Sequence, residues 1–212
     1  MADMITFSFI QKKTIMYKAR GETAITECYP NHGYVIKRFV PRKPKFGQGH
    51  GPLRGSLELC FARELECLKR LHGEKNFPQL IDHNIGKLTI TMSYVGRPFL
   101  HFADDDRTKY VKQVDNIITT LNKHHIKLAY ELSPNDGKIG YMLSMMMVQH
   151  NELSIIDFER AWPVGFDKES ELNDAFKLSY KYHDNQKFKL MLEKTIINTK
   201  KEPAPKDQYE EK

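Results

Sequence analysis

The chain has 212 residues, 40% of them apolar and 28% charged, with a net charge of +6. This is the balance of a soluble globular protein of one domain or two small lobes. No apolar run approaches the ~18 residues of a membrane span. Three cysteines, Cys28, Cys60 and Cys67, without a C-x-x-C pair, argue against a disulfide framework or a zinc knuckle and for a reducing compartment.

The N-terminal MADMITFSFIQKK has no basic region before its apolar run and does not read as a signal peptide, so a cytoplasmic protein with no membrane partner is expected. Residues 4–10 and 14–18 are β-prone. GETAITECYP and GYVIKRFV alternate as two further strands, joined by the turn PNHG. Residues 35–57 contain no acid but carry Lys37, Arg38, Arg42, Lys43, Lys45 and Arg54. Most of this stretch is a Pro- and Gly-rich loop, 38–56, which is either simply solvated or attracts phosphate, nucleic acid or an anionic substrate.

Residues 57–72 are predicted helical, with Leu57, Phe61, Leu65, Leu68 and Leu71 at helical spacing and Gly73 as the stop. Two strands follow in FPQLIDHNIGKLTITMSYV, turning at residues 84–86. A hinge falls at 93–98. A second helix spans 107–125, with Tyr110, Val114, Ile117, Ile118 and Leu121 on one face. The cluster Asp104, Asp105 and Asp106 suits its N-terminus, and His124 and His125 suit its C-terminal carbonyls. GYMLSMMMV and LSIIDF read as a hairpin about His150 and Asn151. Two helices fill 167–198, and the proline-bearing 200–212 is expected to be disordered. The order is α+β.

Three residues stand out against this background. Lys37 interrupts an apolar strand and shares its face with Val35 and Phe39, so it either snorkels or meets an anion. Glu64 lies in the buried stripe of the first helix, whereas Glu66 neighbours Ala62, Arg63 and Arg70 on the predicted wet face. A buried carboxylate needs a partner, and Lys37 is the candidate unless Glu64 reaches solvent at the stripe's edge. Asp157 follows Ile155 and Ile156 and either opens a turn or binds a metal. Gly21 taken alone reads as a turn glycine.

The order of these features resembles the protein-kinase-like superfamily. GYVIKRF looks like the V-A-I-K strand, and ARELECLKRLHGEKNFPQLID is similar to the αC-to-β4 pattern. LTITMSYVGRPF is similar to the β5 strand and hinge. IIDFERAW looks like the D-F-G segment, with Glu159 where glycine is usual, as in small-molecule kinases of the choline and aminoglycoside type. GETA and the short length are similar to the compact kinase of the KEOPS tRNA-modification complex. Small lipopolysaccharide-type sugar kinases share the basic segment.

The resemblance implies a two-lobe fold, with a β-rich N-lobe over 1–95 carrying one αC-type helix and a reduced, mainly helical C-lobe over 96–199. It also implies ATP and Mg2+ as cofactors. Gly21, Glu22, Thr23 and Ala24 would cover the phosphates. Lys37 would hold the α- and β-phosphates, oriented by Glu64. Met92 would be the gatekeeper, and the backbone of residues 93–95, Ser93 and Val95 included, would bind adenine. Asp157 would bind the metal.

The catalytic loop departs from the family, for no H-R-D string exists. ELSPND would make Glu131 the base. DGKIGY would make Asp136 the base, and it is preferred because the strand MLSMMMV follows directly and Asp136 lies 21 residues before Asp157. In both placements a metal-binding identity is lost. The leading expectation is a phosphotransferase acting on a hydroxyl-bearing acceptor, protein Ser/Thr included. The alternative is a pseudokinase or adaptor that binds a protein or RNA partner through 37–54. A nucleic-acid-binding protein without a nucleotide site ranks third, since it rests only on a pI of about 9.0 and the basic loop.

Overall fold

The computed structural model describes residues 17–20, 23–40, 56–129, 142–166 and 183–203. The strand expected at 4–10, most of the basic loop, both catalytic-loop placements and the segment 167–182 lie outside the described residues.

Three strands open the described chain: β1 (Tyr17–Arg20), β2 (Ala24–Tyr29) and β3 (Tyr34–Phe39). A single 3-10 turn, Pro30–His32, joins β2 to β3. Gly33 closes it at φ +70°, donating its amide to the Pro30 carbonyl at 3.0 Å. Helix α1 (Leu57–Arg70) begins where the Ser56 hydroxyl accepts from the Leu59 amide at 3.2 Å. It stops two residues earlier than the spacing predicts, and Gly73, at φ +81°, turns the chain back.

Strands β4 (Leu80–Asn84) and β5 (Thr89–Ser93) form the predicted hairpin. Its turn is started by the Asn84 side chain, which accepts from the Lys87 amide at 2.9 Å. The five strands make one antiparallel sheet in the order β1-β2-β3-β5-β4, which places β3, and Lys37 with it, in the middle.

The chain leaves this sheet through β6 (Arg97–Pro98) and the short helix α2 (Phe99–Phe102). Gly96 has φ +110°, and a Cβ there would lie 2.1 Å from the Val148 carbonyl oxygen. Only glycine permits that approach. Helix α3 (Thr108–Lys123) buries Tyr110, Val114, Ile117, Ile118 and Leu121, the face read from the sequence. At its start Asp106 accepts from the Thr108 amide, while Asp104 pairs with Lys109 at 2.7 Å. At its end His124 meets Glu74 at 2.7 Å.

Strand β7 (Ile126–Lys127) follows, then β8 (Met146–Gln149) and β9 (Glu152–Ile155). The turn of the last pair is His150 and Asn151, at φ +49° and +66°. Two successive positive φ values are what a tight two-residue hairpin requires. Strand β10 (Trp162–Pro163) pairs with β7, and α4 (Asn185–Asn198) packs along α3 through Phe188, Leu192 and Ile196. After α4 the Glu202 amide donates to the Leu100 carbonyl at 3.1 Å, so the described part of the expected tail lies against α2.

The buried apolar residues form one continuous cluster, from Phe39 and Ile90 in the sheet through Phe77 and Phe158 to Leu192 and Ile196 in α4. The α+β order expected from the sequence is the one observed. Among the described residues no helix is long and apolar enough to cross a membrane, and all three cysteines are free and buried.

Candidate functional site

Lys37 is the centre. It sits on β3 between Thr26 of β2 and Ile90 of β5, and its residue is only 7% exposed. Its ammonium does not snorkel. Nζ donates to Glu64 Oε2 at 2.5 Å and to Asp157 Oδ1 at 2.7 Å, and lies 3.9 Å from Glu159 Oε2. Three carboxyl groups from two distant segments therefore converge on one cation.

Each is brought there by apolar neighbours. Glu64 lies on α1 among Phe61, Leu65 and Leu68, all buried, and is itself sealed rather than at the stripe's edge. Phe61 meets Phe39 of β3 edge to face at 5.7 Å, so α1 presents Glu64 to Lys37 as it docks on the sheet. Asp157 follows β9, whose end is fixed by the Ile155 amide on the Asn76 carbonyl and the Ile156 amide on the Met145 carbonyl, both at 3.0 Å. The next residue, Phe158, is fully buried against Phe77. Asp157 itself adopts φ +69°, a left-handed conformation that aspartate tolerates better than most side chains. Burying Phe158 thus turns the chain and aims the Asp157 carboxylate at Lys37.

Glu159 was not among the site residues read from the sequence, where it marked only a departure from glycine. It is 7% exposed and accepts a hydrogen bond from the Thr23 hydroxyl. A carboxylate placed one residue after a wholly buried Phe was the available signal. Thr23 was expected to cover a ligand with its backbone, yet its side chain is buried and turned to Glu159. Ala24 is buried at the start of β2, and Gly21 and Glu22 lie outside the described residues. Arg63, expected on the wet face of α1, is fully buried instead, with Nη2 3.6 Å from Cys60 Sγ.

The electrostatics follow from this crowding. Burial alone would lower the Lys37 pKa, but Asp157, Glu64 and Glu159 together outweigh it and hold the ammonium well above its ordinary value. Burial pushes the Glu64 carboxyl up to about 7, against the opposing pull of Lys37 and with added repulsion from Asp157. The leading causes differ: the carboxylates around Lys37 favour its charged form, while burial disfavours ionisation of Glu64.

The donor set fits a hard divalent cation. Carboxylate oxygens of Glu64, Asp157 and Glu159 all lie within 4.8 Å of one another. Oxygen-only donors suit Mg2+. The Asp157 side chain, 30% exposed, leaves one side of the group open to water or ligand oxygens.

The hinge is partly committed. The Ser93 amide donates to the Gln79 carbonyl and the Tyr94 amide to the Gly33 carbonyl, each at 2.8 Å. Those two donors serve the sheet, so an adenine edge would have to use other groups of residues 93–95. Met92 is buried in β5, opposite Val35 of β3 and Leu80 of β4. Both catalytic-base candidates, Asp136 and Glu131, lie outside the described residues.

Neither a family model nor a curated protein sequence matches this chain. Among solved structures it is similar to the Rio2 kinase from Chaetomium thermophilum, determined as an ADP/Mg2+-phosphoaspartate complex. The match covers 89% of this chain and 57% of that one, at 15% identity and a TM-score of 0.48. The chain thus spans little more than half the length of that kinase.

Proposed function

We propose that the chain is an ATP- and Mg2+-dependent phosphotransferase. The observation that carries this reading is Lys37 held at once by Glu64 and Asp157, at 2.5 and 2.7 Å. A buried lysine with a sealed carboxylate on one side and a part-open one on the other is equipped to exchange partners. Phosphate oxygens of the nucleotide would take the open side of Lys37, while Glu64 keeps the ammonium in place. Asp157 would then be released toward the metal. Bound magnesium would neutralise charge on the phosphate oxygens. Met92 would line the base pocket beside the backbone of Ser93 and Val95. Asp136, or Glu131 in the alternative placement, would accept the proton of the acceptor hydroxyl.

A ligand that binds only the folded state raises its stability. Thermal unfolding with and without Mg-ATP is therefore the direct test, using wild type, Lys37→Ala and Asp157→Asn. The expected result is a magnesium-dependent rise in Tm in the wild type, lost in both variants. No rise in a folded wild type would overturn the reading.

The missing H-R-D string favours a second reading, an adaptor that binds a protein or RNA partner through the basic stretch 37–54 without turnover. It predicts partner capture that is indifferent to Asp157→Asn and weakened by salt.

A further inference from the structure

Glu159 joins the start of β2 to Lys37 of β3. Its Oε2 accepts from the Thr23 hydroxyl, 136 residues away. The same oxygen lies 3.9 Å from the Lys37 ammonium of β3. Its charge also supports the guanidinium of Arg63 on α1, whose pKa burial otherwise lowers. Both ends of the Thr23 link are buried, at 4% and 7% exposure. Thr23 is held from the other side too, because its carbonyl accepts from the Val40 amide just past β3 at 3.0 Å. On the Glu159 side the buried Phe158 and the Ala161-to-Phe158 backbone bond, 2.9 Å, fix the chain.

A buried carboxylate is a weak source of net stability even when paired, since desolvation offsets most of the attraction. What such a group supplies well is geometry. A glycine at 159 would offer no side chain to Thr23 or Lys37.

We propose that Glu159 is a positioning residue that locks the start of β2, at Thr23, to Lys37 and the segment after β9. It thereby sets where Thr23 and the start of β2 stand relative to a phosphate taken by Lys37. This rests on the nucleotide-site reading above. The segment that carries Asp157 and the start of β2 are then one mechanical unit. Loss of the Thr23 hydroxyl breaks the link without removing any carboxylate of the candidate metal set, whereas Glu159→Gly removes one as well.

The test compares Thr23→Val, which cannot donate, with Thr23→Ser, which can, and Glu159→Gly with Glu159→Gln, which keeps an acceptor for Thr23. Two readouts are taken on the whole chain. The first is amide hydrogen exchange without ligand, at Val40 and through β2. The second is the Kd for MgADP by calorimetry. Thr23→Val and Glu159→Gly are expected to exchange about ten-fold faster at the Val40 amide, as local opening becomes easier. Thr23→Val is expected to bind MgADP about ten-fold more weakly, the loss of about one hydrogen bond to a charged group. Thr23→Ser restores both values, and Glu159→Gln restores the exchange rate. That rescue would not follow from a merely space-filling role.

Unchanged exchange in Thr23→Val overturns the inference and leaves the nucleotide reading standing. Equal losses in Thr23→Val and Thr23→Ser overturn it as well. A wild type with no affinity for MgADP fails the nucleotide reading instead, and the exchange comparison still decides whether Glu159 locks Thr23.

Discussion

Glu64 and Asp157 grip the same ammonium at nearly the same distance, 2.5 and 2.7 Å, yet their surroundings are opposite. The Glu64 side chain is 1% exposed and rides on a helix packed against the sheet; the Asp157 side chain is 30% exposed and sits on a left-handed residue between β9 and Phe158. One side of the cluster is built like a core and the other like a cleft wall. Removing the sealed contact strands a buried charge, whereas removing the open one leaves solvent to take its place. The closed side is therefore suited to holding Lys37 and the open side to giving it up.

The largest effect separates these two sides. Lys37→Ala leaves Glu64 buried without its cation and should cost about 3–5 kcal/mol of unfolding free energy. Asp157→Asn keeps a side chain that tolerates positive φ and should cost no more than about 1 kcal/mol, because the contact it weakens is part-exposed. Urea denaturation of both variants measures the difference. Equal losses would break the comparison.

Next in size is Gly96→Ala. The added Cβ would meet the Val148 carbonyl at 2.1 Å in a backbone that already disfavours L side chains. A loss of about 2–3 kcal/mol is expected, from strain at φ +110° together with the displaced β8. The β6-β8 pairing that continues to the open side through β9 should loosen with it, seen as faster amide exchange in residues 146–149. A variant as stable as wild type would show that the hinge does not brace that side.

A third test titrates the closed side. Glu64 has its folded pKa raised from 4.5 to about 7. A group raised on folding contributes its stability below the unfolded value and loses it as pH rises through the folded value. Stability should therefore fall between about pH 4.5 and about pH 7 as Glu64 is forced to ionise. Glu64→Gln should flatten that part of the Tm–pH curve. An unchanged slope in the variant would assign the titration elsewhere.

The smallest effect concerns α1 itself. Ser56→Ala removes the cap on the Leu59 amide and should cost about 1 kcal/mol. Because the contacts of Glu64 lie two turns further on, the Mg-ATP stabilisation of the surviving folded protein should be unchanged. A cap variant that lost it would mean that the helix start, and not only its packed face, sets Glu64.

Much of the fold was legible in the sequence because it is carried by periodic elements. The α3 face came out residue for residue, and the hairpin fell on the expected turn at His150 and Asn151, but its first strand begins only at Met146, with residues 142–144 helical, so the strand read along MLSMMMV does not follow Asp136 directly. Both features are local. Strands β6, β7 and β10 were missed because two residues carry no alternation to read. The pairing of β3 with β5, across α1 and β4, follows from no local signal either.

Within the site the division is the same. The sequence determined Lys37, Glu64 and Asp157, because a charge inside an apolar strand or stripe is conspicuous and demands a partner. It misled on Arg63 and gave no role to Glu159. Helical spacing put Arg63 beside Glu66, whereas the tertiary fold buries it, with its guanidinium beside Cys60. The Thr23–Glu159 link depends on two loop ends 136 residues apart, and no periodicity reports on a contact between loops. Which residues could be charged in a core was written in the chain. Which of them share one ammonium, and which side of it stays open, was decided only when the tertiary fold removed water from Glu64 and left it at Asp157.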